Sequence, residues 1–381
     1  MDPLLSWLAA RQPQILSLCR AFVECESPSD DPAAVGRFAQ LVADTVSGEA
    51  RVKTIRGTGG YGPHVQCEFR LPGRARQGRI LLLGHSDTVH PIGTVRGAMP
   101  FRVANGRVCG PGVLDMKAGI AMAIFAARGL SALDIPIRRR VLLQLNSDEE
   151  VGSPTSRALT EREARTSDAV LVIEPATGLE GKLKTARKGV GDYTVAVHGK
   201  AAHAGLDFAS GANAIVELSR QLAKIAGFTD LARGVTVSPG VISGGTRSNV
   251  VPAEARAEVD VRVVRLKDAA ALDRKFRCLR PLDRRCRIEV GGGLNRPPME
   301  RSSGVVRLFR AARKAAAELG FSLDDSLSGG GSDGNFTAAL GIPTLDGLGA
   351  VGEGAHAPHE SVLLECLAPR TALLAKLLAT L

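Results

Sequence analysis

The sequence predicts an α/β protein: an α/β domain with a central, mostly parallel sheet, and an inserted ferredoxin-like α+β domain. Short apolar runs alternate with helical patterns through the first part of the chain, which is typical of buried parallel strands and their crossover helices. From about residue 189 the order becomes strand–helix–strand–strand–helix–strand over roughly 100 residues, a ferredoxin-like arrangement. We therefore expect a discontinuous α/β domain, residues 1–184 and 297–381, interrupted by a second domain at 185–296.

The elements of the discontinuous α/β domain follow from the spacing of apolar residues. Residues that recur three and four positions apart predict a helix at 4–22, and Asp31 before Pro32 marks the start of a second helix that reaches residue 46. Aliphatic runs bounded by turn residues predict strands, and stretches of small or periodic residues predict further helices. The strands are expected at 65–71, 80–84, 141–145 and 169–173, and the helices at 116–130, 155–165 and 304–319.

The inserted domain has a different pattern, in which apolar and polar residues alternate along half-buried strands. The segment GGGLNRPP at 291–298 is rich in glycine and proline and predicts the hinge that leads out of this domain. The strands are expected at 189–199, 234–243, 253–264 and 287–290, and the helices at 211–226 and 266–279.

Composition and charge argue against several classes of protein. The formal charge of the 381-residue chain is +10, but its basic residues are scattered and only 4% of its residues are aromatic, a poor platform for nucleic-acid bases. No apolar run approaches the roughly 20 residues that span a membrane. Asp2 stands where a signal peptide carries positive charge, so we expect a cytoplasmic protein. The seven cysteines form no CxxC pair, which argues against a disulfide framework.

Metal-competent side chains follow three of the predicted strands. The strand at 80–84 runs into His85 and Asp87, the strand at 141–145 is followed by an acidic segment at 148–150, and the strand at 169–173 runs into Glu174. Ligands bind beyond the carboxyl ends of strands in open α/β sheets. Because residues two apart in an extended chain point the same way, Asp87 can hydrogen-bond one imidazole nitrogen while the other binds a metal.

Two further segments complete the predicted site. Asp115 lies between a turn rich in glycine and proline and a helix, where it is either a helix cap or a ligand that bridges two ions. Of the adjacent Glu149 and Glu150, one can bind metal while the other acts as a general base. His356 and His359 lie in a late glycine-rich segment. Imidazole and carboxylate ligands without cysteine favour two zinc ions per chain, with cobalt or manganese as alternatives.

Several motifs of the chain occur in an order known from one metallopeptidase family. They are HSDTV at 85–89, GPGVLDMKAG at 110–119, NSDEEVGS at 146–153, VIEP at 172–175 and AHAPHE at 355–360. In this order and spacing they resemble the two-zinc aminoacylase/carboxypeptidase peptidases, and within them the glutamate carboxypeptidases. The resemblance covers nearly the whole chain. It implies that His85 and Glu174 bind one zinc, that Glu150 and His356 bind the other, and that Asp115 bridges them.

The resemblance also implies roles for the residues beside the ligands. Asp87 would orient His85, and Glu149 would be the general base. The family often has Asn or Asp where this chain has His359, and we prefer His356 as the ligand because Glu360 then keeps its usual spacing.

The resemblance implies that the discontinuous domain, residues 1–184 and 297–381, is the zinc-binding catalytic domain. The inserted domain, residues 185–296, resembles the lid and dimerisation domain of the family, so a homodimer through this domain is expected. The motif GKAAHAG places His203 where the lid histidine of the family reaches the active site of the partner subunit. By the same resemblance, the residues that contact the substrate would be Asn249, Arg262, Lys188 and Gly330.

The implied activity is hydrolysis of an amide bond next to a free C-terminal carboxylate, with release of C-terminal glutamate from a peptide or folate-like substrate as a candidate. An N-acyl amino acid deacylase would use the same zincs and base, and the motifs do not separate the two. A non-catalytic binding protein on this fold is the alternative from another class. Such a binding protein would lack one of the metal ligands or the general base, whereas this chain has every expected ligand and the base. No nucleic-acid or membrane partner is expected.

Overall fold

The computed structural model describes residues 2–73 and 77–381. The chain forms two compact units. The first comprises Met1–Ala186, Arg301–Ser328 and Ser332–Leu381, and the second comprises Arg187–Glu300 and Gly329–Gly331. The catalytic and lid roles expected for segments 1–184 with 297–381 and 185–296 stay predictions.

Both units contain α-helices and β-strands. The helices are α1 (Pro3–Ala9), α2 (Gln12–Glu24), α3 (Pro32–Val46), α4 (Ala118–Ala132), α5 (Arg157–Arg165), α6 (Ala214–Ala226), α7 (Leu266–Arg277), α8 (Ser303–Glu318), α9 (Gly334–Ala339) and α10 (Leu367–Thr380). The strands are β1 (Ala50–Ile55), β2 (His64–Phe69), β3 (Arg79–His85), β4 (Arg102–Ala104), β5 (Arg107–Cys109), β6 (Arg140–Asn146), β7 (Ala169–Val172), β8 (Leu183–Arg187), β9 (Gly189–His198), β10 (Thr236–Gly244), β11 (Glu254–Val263), β12 (Arg287–Arg296), β13 (Asp325–Ser328), β14 (Thr344–Leu345), β15 (Gly352–Glu353) and β16 (Ser361–Leu363).

The predicted helix at 4–22 is two helices, α1 and α2, separated at Ala10 and Arg11. Pro13 lies in the first turn of α2. Proline has no backbone N–H to donate and its ring obstructs the preceding turn, so it starts a helix more readily than it continues one.

The central sheet of the first unit has the strand order β1-β2-β6-β3-β7-β14. Strand β3 is parallel to β6 and β7, β14 is parallel to β7, and the antiparallel strands β1 and β2 form one edge. The α/β class with a mostly parallel sheet is thus confirmed. All seven residues of β3 are buried. His85 of β3 pairs with Asn146 of β6, and Leu83 pairs with Val172 of β7, so the three strands end at nearly the same level.

A smaller sheet of the first unit has the order β15-β16-β5-β4. Strand β16 is antiparallel to β5, with Ser361 opposite Cys109. This pairing places the segment that follows Cys109 beside the segment that precedes Ser361. Those two segments contain Asp115 and His356.

The second unit is an antiparallel sheet of order β10-β11-β9-β12, with α6 and α7 between its strands in the sequence. The predicted ferredoxin-like βαββαβ order is confirmed. Its apolar core includes the stacked rings of Tyr193 and Phe276, whose centroids lie 4.0 Å apart.

The hinge predicted from GGGLNRPP is wrong over most of its length, because β12 continues through the glycines to Arg296. A Cβ on Gly292 would lie 2.0 Å from the carbonyl oxygen of Asp192 on β9. The glycine therefore permits close approach of two strands rather than flexibility.

Replacement of two helical glycines by alanine is expected to change the free energy of unfolding in opposite directions. A Cβ on Gly119 of α4 would lie 2.3 Å from the carbonyl oxygen of Ile173, directly before Glu174, whereas a Cβ on Gly36 of α3 would meet only Pro63, at 3.8 Å. Gly119→Ala should lower the free energy of unfolding by about 1–3 kcal/mol through overpacking. Gly36→Ala should raise it by about 0.5–1 kcal/mol, the usual advantage of alanine in a helix. Denaturant titration measures both, and equal effects would contradict this account.

Candidate metal centre

His85 is the last residue of β3 and is 2% exposed. Its Nδ1 atom lies 2.9 Å from the backbone carbonyl oxygen of Asp87 and 3.5 Å from the Asp87 carboxylate. A carbonyl oxygen only accepts, so Nδ1 carries a hydrogen and donates it. The Nε2 atom is directed at two carboxylates, 3.0 Å from Asp115 Oδ1 and 3.6 Å from Glu174 Oε1. A neutral His85 therefore presents the Nε2 lone pair to the place where these carboxylates meet.

Asp115 lies between the two histidines that the sequence singles out. Its Oδ1 atom is 3.0 Å from His85 Nε2, and its Oδ2 atom is 3.5 Å from His356 Nε2. The segment around it, between β5 and α4, is irregular, with non-helical backbone angles at Asp115, and the peptide bond between Asp115 and Met116 is cis. One carboxylate thus faces two imidazoles through separate oxygens, as a ligand shared by two ions would.

Glu149 and Glu150 begin a short 3₁₀ turn after β6. Glu150 lies 3.1 Å from His356 Nε2. The carboxylate of Glu149 groups instead with His85 and Glu174, with ligand atoms within 4.8 Å of one another. The two neighbouring glutamates therefore face different parts of the cluster.

His356, rather than His359, contacts the carboxylates. It lies in the left-handed region at φ 64° and reaches both Glu150 and Asp115. His359 is exposed, and no ion pair with the cluster is found for it among residues 2–73 and 77–381. The side chain of His356 is 49% exposed whereas that of His85 is 1% exposed, so the cluster is closed at one end and open at the other.

Asp87 makes contacts that the sequence reasoning missed. Its carboxylate accepts hydrogen bonds from the backbone N–H groups of Glu149 and Glu150, each at 3.2 Å, and from the hydroxyl of Ser29 at 2.7 Å. It therefore fixes the start of the acidic turn besides contacting His85. Backbone N–H donors cannot be recognised from residue types. The one available signal was that both segments, at Asp87 and at 148–150, follow neighbouring strand ends.

The electrostatics of the cluster favour added positive charge. Burial would lower the pKa of His85, but hydrogen bonds to Asp115 and Asp87 and the nearby carboxylate charges raise it well above its usual value. Hydrogen bonds to Asp115 and Glu150 raise the pKa of His356 to about 10. Burial would raise the pKa of Asp115, yet hydrogen bonds to His356 and His85 bring it below its usual range.

The donor set fits divalent metal ions. Two overlapping groups, one of His85 with Glu149 and Glu174 and one of His85 with Asp115 and Glu150, each bring their ligand atoms within 4.8 Å. Carboxylate oxygens and imidazole nitrogens without thiolates suit zinc, cobalt or manganese. His356, which contacts Asp115 and Glu150, adds a second imidazole to these groups, so the donor set is larger than a single ion requires.

The remaining predicted residues lie in the second unit. The Nδ1 atom of His203 accepts hydrogen bonds from the backbone N–H groups of Gly205 and Leu206, both at 3.1 Å. The backbone carbonyl of Asn249 accepts from Ala204, which ties the two segments together. On β11, Arg262 donates from Nε and Nη2 to Asp260, at 2.8 Å for the shortest contact.

Lys188 lies between β8 and β9, and the carbonyl oxygen of Gly330 accepts from Arg187 Nη1 at 3.1 Å. Gly330 and Arg187 thus belong to one hydrogen-bonded group in this unit. The functional roles of Lys188 and Gly330 stay predictions.

Comparison with known proteins identifies the family. Residues 81–380 match the model of peptidase family M20/M25/M40. The chain belongs to this family. Among curated relatives, carboxypeptidase G2 of Pseudomonas sp. (strain RS-16) is 29% identical over 370 residues, which cover 91% of this chain and 83% of the relative. The family and this relative make the chain a carboxypeptidase-like hydrolase and confirm the predicted enzyme class.

Solved M20 structures share the fold. The aminopeptidase PepT of Bacillus cereus ATCC 10987 superposes with a TM-score of 0.78 at 22% identity, covering 97% of this chain and 98% of that one. The YXEP protein of Bacillus subtilis, described as a dinuclear metal binding peptidase of family M20, superposes with a TM-score of 0.68 at 15% identity, covering 97% and 98% of the two chains. Within residues 2–73 and 77–381, no helix combines the length and apolarity needed to cross a bilayer.

Proposed function

We propose that this chain is a two-zinc carboxypeptidase that hydrolyses the amide bond next to a free C-terminal carboxylate, with C-terminal glutamate of a peptide or folate-like substrate as the first candidate. The observation that carries the proposal is the position of Asp115, whose two oxygens face His85 at 3.0 Å and His356 at 3.5 Å. His85, Glu174 and Asp115 would hold one ion, and Glu150, His356 and Asp115 would hold the other.

Glu149 is proposed as the general base. When bound, a pair of divalent ions lowers the pKa of water and polarises a carbonyl group. Glu149 accepts a proton from the attacking water as the water oxygen bonds to the carbonyl carbon. Glu149 then gives that proton to the leaving amine nitrogen as the C–N bond breaks. The hydrogen bonds from the backbone of Glu149 and Glu150 to Asp87 support this assignment, because they hold the turn from which both side chains project.

His203 is proposed as the donor that stabilises the oxyanion formed from the substrate carbonyl. Its Nδ1 atom accepts two backbone hydrogen bonds, so a neutral imidazole carries its hydrogen on Nε2. Such a tautomer presents a donor without a net charge. One donor of this kind typically contributes about 2.7–4 kcal/mol to the transition state.

Arg262 is proposed to bind the free carboxylate of the substrate, aided by Asn249. Lys188 and Gly330 are proposed as further residues that contact the substrate. A guanidinium matches a carboxylate better than an ammonium does. Arg262→Ala should raise KM about 10- to 100-fold with little change in kcat, since a hydrogen bond to a charged group contributes about 1.5–3 kcal/mol. Arg256→Ala is the matched control, because Arg256 lies on the same strand and pairs with Glu258. An equal KM for both variants would remove Arg262 from this role.

A substrate panel on zinc-loaded protein tests the activity itself. Peptides and aminobenzoyl compounds ending in glutamate should be cleaved faster than N-acetyl amino acids. The reverse order would assign the chain as an N-acyl amino acid deacylase on the same site. If substrates without a free carboxylate are hydrolysed as fast as those that have one, both the carboxypeptidase and the deacylase assignments are rejected.

A homodimer through the second unit is part of the proposal. Strand β10 is an edge strand, and Val241 and Ile242 on it are 57% and 58% exposed. Exposed apolar side chains on an unpaired edge are available for association. Sedimentation equilibrium should give twice the chain mass, and a monomer at all concentrations would reject the dimer.

A cytoplasmic location is also proposed, supported by seven cysteines that are all free, as in compartments that keep thiols reduced. Cell fractionation tests this location, and recovery of the protein only outside the cytoplasm would reject it.

A further inference from the structure

Glu360 is a buried carboxylate whose side chain is 0% exposed and lies outside the set of proposed metal ligands. Removing a carboxylate from water costs several kcal/mol unless hydrogen-bond donors replace the water. This charge lies directly beside the candidate metal centre, because Glu360 accepts a hydrogen bond from the backbone N–H of Asp115. The donors that bind Glu360 therefore identify the segments of the chain that this carboxylate holds in place.

Four donors surround the two oxygens of Glu360. Oε1 accepts from the backbone N–H groups of Leu114 at 2.8 Å and Asp115 at 3.0 Å. Oε2 accepts from the backbone N–H of Gly112 at 2.8 Å and lies 2.8 Å from Nε2 of His90. An ionised carboxylate only accepts, so His90 donates. An amide in place of the carboxylate would turn an NH₂ group towards at least one of these donors.

Each donor belongs to a segment that carries a proposed metal ligand. Asp115 is the proposed bridge, and Glu360 binds its backbone directly. His90 follows His85 in the segment after β3. Glu360 itself ends the turn that begins after His356, in which Glu360 N donates to Ala357 O at 3.0 Å.

We propose that Glu360, together with His90, is a positioning residue that fixes the distances between His85, Asp115 and His356 and thereby sets the affinity for the two metal ions. This inference rests on the proposed two-metal function. Glu360 acts through the backbone of Asp115 and through the loop of His356, and it does not touch the metal or the substrate. Contacts of this kind outside the ligand shell typically change metal affinity by about 10- to 100-fold.

The test is zinc binding by the full chain, freed of metal by chelator dialysis and titrated against a chromogenic chelator. Glu360→Gln should still bind two zinc ions at saturation, but with the weaker dissociation constant raised about 10- to 100-fold. Its hydrolytic activity should return as the free zinc concentration is raised. The matched control is Glu353→Gln, which removes a half-exposed carboxylate that pairs with Arg107 in the same small sheet. Zinc affinity of the control should be unchanged, because exposed pairs contribute little.

A second variant keeps the test decisive if Glu360→Gln fails to fold. His90→Phe removes only one of the four donors and keeps the size of the ring, and it should weaken zinc binding in the same direction. Wild-type zinc affinity in the folded variants, or a loss of activity that saturating zinc does not restore, would overturn the positioning role while leaving the two-metal function intact. A wild-type chain that binds no zinc would overturn the proposed function and this inference with it.

Discussion

Replacing Glu149 with glutamine is expected to lower kcat about 100- to 10,000-fold, the usual contribution of a general acid–base group, while zinc content stays at two ions per chain. Glutamine keeps the size of the side chain but cannot accept a proton from water. Steady-state kinetics on the zinc-loaded protein, together with metal analysis of the same sample, measures both quantities.

The metal analysis shows whether Glu149 is the general base or a metal ligand. The question arises because the carboxylate of Glu149 lies close to His85 and Glu174. Loss of one zinc ion from the Glu149→Gln variant would show that the residue is a ligand rather than the base. Full activity would remove it from the mechanism. Glu161→Gln is the control, since Glu161 is a carboxylate of α5 that pairs with Arg157 on the surface, and its kcat should not change.

Replacing Asp115 with asparagine is expected to disrupt both metal positions at once. The amide offers one neutral oxygen where the carboxylate offers two charged oxygens, and the two oxygens of Asp115 face different histidines. Zinc stoichiometry should fall below two, and kcat/KM should fall by more than the roughly 100-fold typical of a contact outside the ligand shell. Elemental analysis after gel filtration and kinetics at fixed free zinc provide the measurements.

A matched variant for Asp115 is Asp148→Asn, a fully buried aspartate whose Oδ2 accepts from the backbone and hydroxyl of Thr155. It should lower stability without changing zinc stoichiometry. Two zinc ions at wild-type affinity in Asp115→Asn would contradict the bridging role.

The convergence of His85, Glu149, Glu150 and Glu174 can be predicted from the sequence, because each follows a buried parallel strand and such strands end on one side of the sheet. The choice between His356 and His359 has weaker support, since both lie in one glycine-rich segment. The structure separates them through the left-handed turn at His356, which has no simple sequence signal.

Other features lie beyond the residue pattern because they involve backbone groups. The N–H groups held by Asp87 and Glu360 exist in every residue except proline, so no spacing marks them. The glycines of β12 are a similar case, since glycine permits both flexible linkers and close strand contacts, and only the position of β9 decides between them.

The bridging position of Asp115 between two zinc ions is tested by the anomalous diffraction of zinc-loaded crystals, recorded on both sides of the zinc absorption edge. Two peaks per chain are expected, one beside His85 and Glu174 and one beside Glu150 and His356, with an oxygen of Asp115 about 2.0–2.2 Å from each. A single peak, or two peaks of which one lies out of reach of Asp115, would contradict the bridging position.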